Sequence, residues 1–593
     1  MKQVRKLRAG LVQLTGTVRR YPLTILLLVL LAIVNAMEIQ SGFTLYSKMV
    51  YTLSFGIFLS LAAQAVYERF FDSKAVRIFL LSGTAGLTAV YYLILSGGEK
   101  VNRIASIRTI AALFILFIAF LWIPTIKSRV TLNESFLAVF KAFFQAAFYS
   151  GVLFLGVSLI IMAINTLLLP VEGNVLSHAA NIIFSILASV YLLSLLPIFA
   201  DGIAGGKEEN GEPSKMHTAV PVSRFLETLI SYVIIPVTAV FTLVLLLYIV
   251  RNITGSFWTD NLMEPLLMSY SITVILVYLL ASNIENAFAK SFRKIFPKVL
   301  VPIVLFQTIA SILKIGETGM THGRYYAILF GVFATIAGSI FCIVPVRKNG
   351  LIAPILMFLA LISIVPPMDA FSVSKHNQTK RLENALLRSN MLQEGKITPN
   401  PSAAKKARQV IITSLQYLDS MGYSKDIDWL KAYADTGDFE KTFGFSQFDS
   451  ANQNSGIYLH REPGPIPITG YDSMLHTNLY FQGAGGEIGS FEKDGKAYRI
   501  LDQMLSDGRH HIVLFGEENR ELLSFDTEAI LSRAMSSGEG KEIMRLPDAS
   551  FTQENDLARI TFVTENIYIG NYTGSTGKEK QADIEAYILI EIK

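Results

Sequence analysis

The sequence predicts a polytopic α-helical membrane protein of about 11 transmembrane helices, followed by an α+β extracytoplasmic domain with a mainly antiparallel sheet or sandwich. Three observations predict it. Hydrophobic residues make up 51% of the chain and charged residues only 17%, too apolar a balance for a water-soluble protein of 593 residues. Apolar runs of membrane length recur through residues 22–366 and then stop. The charge inverts at the same point: residues 1–366 carry 28 Lys and Arg against 15 Asp and Glu, whereas residues 367–593 carry 24 against 32. The basic residues sit beside the spans and the soluble part would repel phosphate, so no nucleic acid is expected as a partner. The single cysteine, Cys342, lies in an apolar run, which rules out disulfides within one chain and thiolate metal sites.

Residues 1–21 form a basic amino-terminal segment with six Lys or Arg and no acid, which predicts a cytoplasmic start. Eleven apolar runs follow within 22–366, at 22–39, 46–66, 76–95, 104–123, 142–168, 176–200, 228–250, 264–282, 299–315, 325–346 and 350–366. Alternation from the amino terminus gives its own side 21 basic residues and the opposite side seven. A bias that survives ten reversals supports the span count, and an odd count places the carboxyl-terminal domain outside the cell membrane. Val34-Asn35-Ala36 resembles a cleavage site, yet with ten spans to follow the first run reads as a retained anchor. Residues 201–224, polar and glycine-rich, read as a flexible cytoplasmic loop.

Inside the spans the polar residues are amides, Gln64, Gln145, Asn165, Asn181 and Gln307, whose ordinary role is hydrogen bonding between helices. Charges collect at the span ends, and on the predicted outer side these include Glu38, Glu172, His178, Asp260 and Glu264. The densest group is residues 314–328, KIGETGMTHGRYYAI. It packs Lys314, Glu317, His322, Arg324, Tyr325 and Tyr326 with three glycines into a tight turn, a candidate site for a lipid headgroup or a dock for the tail.

Beyond Pro366-Pro367 the sequence predicts an extracytoplasmic helical module over 367–435. Its first helix starts near Ser372 or Ser374 and carries Leu382, Leu386 and Leu387; its second has Asn400 as cap and Pro401 at the first position; a third runs from Ser424 past Trp429 and Tyr433. Residues 436–593 read as a β-rich domain with strands at 476–481, 487–492, 496–500, 511–515, 559–564, 567–572 and 584–592, and a helix over 526–535 capped by Asp526. The string Gly574-Ser575-Thr576-Gly577-Lys578 lacks the leading glycine and the Ser or Thr of a phosphate loop. His510 and His511, adjacent on a strand, point to opposite faces and cannot readily share an ion. Without HExxH or GxSxG the common hydrolase signatures fail, so an enzyme is the less favoured reading without being excluded, and no metal or other cofactor is expected.

The segment MDAFSVSKHNQTKRLENALLRSNMLQEGKI after the last span resembles that of a bacterial polytopic membrane-protein family catalogued as domain of unknown function 4153. The matching residues include Pro367, Ala370, Phe371, Ser374, Gln378, Arg381, Leu382, Glu383, Leu386, Leu392, Gly395 and Lys396. The turn from Gly316 to Tyr326 resembles a second family feature, although Gly316-Glu317-Thr318-Gly319-Met320-Thr321 departs from it. The resemblance implies a membrane protein with an external module and carries over no activity. The expected role is an integral cell-envelope protein, a sensor, scaffold or binding protein, with the lipid bilayer around it and another envelope protein, a lipid headgroup or a cell-wall component as partner. A transporter or lipid exporter would need the amides to line a path, and a transferase acting on a lipid-linked group would need carboxylates converging near Glu38.

Overall fold

The computed structural model describes residues 15–41, 46–95, 101–198, 222–252, 263–445, 457–480, 486–504, 510–537, 543–574 and 577–593. Most of the basic amino-terminal segment, most of the 201–224 loop, and Asp260 lie outside them. The chain forms two compact units, Met1–Asn384 with Thr413–Ile427, and Ala385–Ile412 with Asp428–Lys593.

In the first unit, nine helices among the described residues are long and apolar enough to cross a membrane. They are α1 (Pro22–Ser41), α2 (Ser47–Phe70), α3 (Lys74–Leu95), α4 (Arg103–Trp122), α5 (Leu132–Leu167), α6 (Asn174–Leu195), α7 (Arg224–Arg251), α9 (Ala287–Thr318) and α10 (His322–Ile343). Between them α8 (Met263–Ala281) is apolar and shorter. The last run, expected as a full span, gives only the 11-residue α11 (Ile352–Ile362), about 16 Å at 1.5 Å per residue. Six residues of 3₁₀ helix, Val346–Leu351, lead directly into it, and at about 2 Å per residue they bring the total to roughly 28 Å.

Polar contacts tie the bundle together at its two ends. At one end Arg20 grips Glu68 with two bonds of 2.7 Å and also donates to the Leu196 and Pro197 carbonyls. There too Ser135 donates to the Leu121 carbonyl at 2.7 Å and the Asn133 amide to that of Val346 at 3.2 Å. At the other end Arg108 meets Asp369 at 3.0 Å, and the Tyr325 hydroxyl donates to the Met368 carbonyl at 2.6 Å. Helix α4 links the ends, with Arg108 in its second turn and Leu121 in its last. The chain between Val346 and Met368 therefore passes from one end of the bundle to the other.

Where α9 and α10 lie side by side, Gly331, Ala334, Ala337 and Gly338 form a buried small-residue face. A Cβ on Gly331 would stand 2.1 Å from Thr308 Oγ1, and one on Gly338 2.9 Å from Val301 Cγ2. In lipid, helices associate through such close packing rather than through hydrophobic burial.

The second unit is built on two sheets with one core. One has the order β4-β12-β11-β3-β9, with β10 on β11, and is antiparallel except for β3 against β9. Its strands are β3 (Ile457–Arg461), β4 (Ser473–Tyr480), β9 (Ile543–Met544), β10 (Ser550–Glu554), β11 (Ala558–Gly574) and β12 (Gly577–Ile592). The other is a meander of β5 (Gly486–Lys493), β6 (Lys496–Met504), β7 (His510–Phe515) and β8 (Glu521–Asp526). Ile500, Ile512 and Leu514 share one buried cluster with Ile560, Phe562 and Ile588, and the Phe525 and Phe562 rings lie 4.5 Å apart. The β5–β6 turn falls on Asp494 and Gly495, both at positive φ (54° and 74°), the geometry that a two-residue hairpin requires. A two-stranded ribbon, β1 (Leu392–Gln393) and β2 (Lys396–Ile397), precedes them.

Several boundaries differ from the sequence expectation. Residues 559–564 and 567–572 are one strand, β11, carried past Glu565 by a bulge. Helix α12 (Ala370–Arg388) starts earlier than Ser372 because Asp369 caps it, accepting from the Phe371 and Ser372 amides. Helix α13 (Lys405–Ser420) starts after Asn400, which instead donates to the Ser389 carbonyl. The third helix is two 3₁₀ turns followed by α14 (Lys431–Thr436), with α15 (Phe439–Phe443) beyond. Asp526 ends β8 and accepts from the Glu528 amide, where α16 (Glu528–Ser537) begins.

Replacing Gly331 by Leu forces α9 and α10 apart. Overpacking of this kind costs about 1–3 kcal/mol, so thermal unfolding of the purified protein is expected several degrees earlier, with Gly151→Leu, which has open space around it, as the neutral comparison.

Candidate functional site

A helix leaves its last four carbonyls without partners, and its carboxyl end carries partial negative charge. Helix α9 stops at Thr318, and Gly319, at φ 76°, turns the chain toward α10. Side chains from two other helices complete that end. Arg324, in the first turn of α10, donates to the Gly319 carbonyl at 2.8 Å and to the Thr318 hydroxyl. Gln378 of α12 donates to the Thr318 and Met320 carbonyls at 3.1 Å each, and Arg381 donates to the Glu317 carbonyl. Asn377 accepts the Met320 amide at 2.8 Å. Ser374, Gln378 and Arg381 recur at spacings of four and three, which places them on one face of α12.

The start of α12 is fixed as firmly. Asp369 is fully buried and accepts from Phe371 and Ser372 amides, the Ser372 hydroxyl at 2.5 Å and Arg108 at 3.0 Å. Burial alone would raise its pKa, but these donors outweigh burial and hold it below the ordinary carboxylate range. Arg108 also lies over the Phe371 ring at 5.4 Å. His322 is held between the Phe371 ring and Tyr417, whose hydroxyl is 3.1 Å from both its amide and its Nδ1. Nearby, Lys375 pairs with Asp426 at 2.6 Å and covers the Tyr423 ring. Burial pushes the Tyr423 hydroxyl up to about 12.

The turn and the family motif, separate readings in the sequence, are thus one assembly. Of the turn residues, Lys314 is buried, Glu317 contributes its carbonyl while its side chain is exposed, and His322, Arg324 and Tyr325 are engaged as above. Tyr326 is half-buried beside Tyr325, with ring centroids 6.2 Å apart. Of the motif residues, Ser374 is buried and donates to the Ala370 carbonyl, Leu382 is buried, and Glu383 is half-buried. Sequence reasoning missed Arg108, Asp369, Asn377 and Tyr417 as members. Two of them carried a signal: an arginine a turn inside a span needs a partner, and an aspartate between a proline pair and a helix is placed to cap it.

The span amides do not gather. Gln64 bonds Glu68, Gln145 bonds Tyr191, Asn165 accepts the Val171 amide, and Asn181 donates to the Ala32 carbonyl. A groove of about 700 Å³ lined by Leu28, Phe58, Phe117, Phe140 and Leu193 contains none of them. Glu38 accepts the Tyr46 amide at 3.1 Å, at the start of α2. His510 and His511 take separate partners, Asp502 at 2.8 Å and Ser524 at 3.1 Å.

The family model described as Domain of unknown function (DUF4153) matches residues 18–396, more than half of the chain. No curated protein and no solved structure matches the chain.

Two expectations follow from this geometry. Gly319→Ala puts a Cβ 2.5 Å from Gln378 Nε2 at a φ that disfavours it, for a loss of about 2 kcal/mol; Gln378→Ala strips partners from two carbonyls, for about 1–3 kcal/mol. Both show as a lower unfolding temperature and faster proteolysis within α12. The second concerns pH. Because the folded pKa of Asp369 is depressed, its contribution is complete above the unfolded value of about 3.9 and is lost as pH falls through the folded value. The difference in unfolding temperature between the parent chain and Asp369→Asn is therefore expected to stay constant from pH 7 to 5 and to close below about pH 4.

Proposed function

The chain belongs to the DUF4153 family, and from the grip of the α9–α10 turn on helix α12 we propose that it is a non-enzymatic cell-membrane protein whose spans hold the carboxyl-terminal body on the outer face, where it binds a component of the envelope. The grip carries the reading. Helix α12 begins in the membrane unit and ends in the second unit, and at least four of its side chains or caps are fixed to the bundle by hydrogen bonds. A connection serving only as a tether would need none of them. The scarcity of cations on the side that carries α12, seven against 21, supports an extracytoplasmic position for the tail.

An anionic lipid headgroup is the partner that best suits the turn itself. Arg103, Arg108, Lys314, Arg324 and Arg381 gather there against Asp369 and Glu317, and Tyr325 and Tyr326 are the aromatic type that favours the interface. A protein or cell-wall partner suits the β-rich body.

The lone cysteine makes the orientation directly measurable. In a Cys342→Ser background, a Lys593→Cys substitution is expected to react with a membrane-impermeant maleimide on intact cells stripped of any outer barrier. Labelling that requires lysis would sink the proposal, since the tail would then be cytoplasmic.

A further inference from the structure

We propose that the larger sheet carries a binding site for a divalent transition-metal ion of the Zn²⁺ type, held by His476, Glu565 and Glu585. The proposal is independent of which side of the membrane the sheet faces.

Three adjacent strands supply the ligands. His476 lies on β4 and Glu585 on β12, and they are diagonal neighbours on one sheet face, because His476 pairs with Tyr587 and Asn478 with Glu585. Glu565 lies on β11, and regular alternation alone would not bring it there. The register shifts between Thr564 and Asn566, and the extra residue of that bulge is Glu565. The bulge re-aims Glu565, so that it joins Asn566, the cross-strand partner of Glu585, on the same face.

The two distances from His476 are those of ligands around one small ion. His476 Nε2 is 3.3 Å from Glu585 Oε1 and 3.6 Å from Glu565 Oε2, and the three atoms all lie within 4.8 Å of one another. Zinc bound at about 2.0–2.2 Å in tetrahedral geometry sets its ligands about 3.3–3.6 Å apart. Two carboxylates converging on one point repel one another unless positive charge sits between them. One nitrogen and two carboxylate oxygens favour a transition ion over Ca²⁺ or Mg²⁺, which prefer all-oxygen shells.

A supporting shell is also present. Asn566 donates to Glu585 Oε2, which leaves Oε1 turned toward His476, and His460 Nδ1 meets Asn566 Oδ1 at 2.7 Å. The Tyr587 ring packs against the His476 ring at 4.7 Å between centroids. Such outer partners orient first-shell ligands. The side chains are partly exposed, 44% for His476, so a fourth position is open to water or to an oxygen donor of a bound partner.

The test uses the full-length protein in detergent, stripped with a chelator, dialysed and titrated with Zn²⁺ alone by calorimetry at pH 7.5. One saturable site per chain is expected. Glu565→Gln and Glu585→Gln are each expected to weaken it tenfold or more, and His476→Ala to remove it. Asn566→Ala should cost about tenfold through the outer shell, while the double variant His510→Ala, His511→Ala leaves it unchanged. Circular dichroism and thermal melts of each variant in chelator establish that the fold survives. Should His476→Ala fail that check, Glu565→Gln, at the half-exposed bulge, decides. No saturable site, equal affinity for Ca²⁺, or binding unchanged in Glu565→Gln and Glu585→Gln would each overturn the assignment.

Discussion

The carboxyl end of α9 is the point on which the membrane unit turns. Hydrocarbon offers no hydrogen bonds, so a spanning helix is tolerable only because it satisfies its own backbone, and the difficulty moves to its ends. Here the end is closed by side chains rather than left to water. Arg324 reaches back from the next helix, and Gln378 and Arg381 reach in from a helix some 60 residues further on. The cations suit the negative end of the helix dipole. Because the carbonyls belong to α9 and the donors to α10 and α12, satisfying one helix end fixes three helices together.

The same site accounts for the exceptions to the charge bias. Alternation of the apolar runs leaves seven basic residues opposite the amino terminus, and four of these, Arg103, Arg108, Lys314 and Arg324, stand at this one place. Arg108 is the most telling. It sits inside α4, where a charge is expensive, and meets the one buried aspartate that starts α12. A cation retained on the disfavoured side points to a specific partner, and here the partners are a helix cap and a row of carbonyls. The sequence alone offers Lys314 and Arg324 as contacts of a lipid headgroup or of the tail and assigns nothing to Arg108; in the structure Arg108 holds the cap of α12 and Arg324 closes the end of α9.

What the sequence made legible follows from how local each signal is. The spans are legible because apolar composition over about 20 residues is a local property, and the break between the strands at 487–492 and 496–500 because it falls on Asp494-Gly495, a pair suited to two positive φ values. The final run falls short as an α-helix because the six residues leading into Ile352, Val346–Leu351, are 3₁₀. The turn and the motif are each legible, and the turn reads as a possible dock for the tail, yet the residues that join them are not, because Arg108 and Asp369 are 261 residues apart and no periodicity links them. The bulge at Glu565 was invisible for a related reason. It exists only as a mismatch in pairing with β12, so the two halves of β11 read as separate strands.

The family match bears on where function resides. It ends at residue 396 and so spans the membrane unit up to Asn384, including Arg108, the α9–α10 turn, Asp369 and all of α12. The two sheets, with His476, Glu565 and Glu585, fall outside it. The part of the chain that the family model covers therefore holds the bundle and the hydrogen bonds that fix α12 to it. Asp369 is held by α4 while Gln378 and Arg381 are held by the end of α9, so α12 cannot slide or turn against the bundle without stripping partners from a buried carboxylate and from carbonyls, either of which is costly.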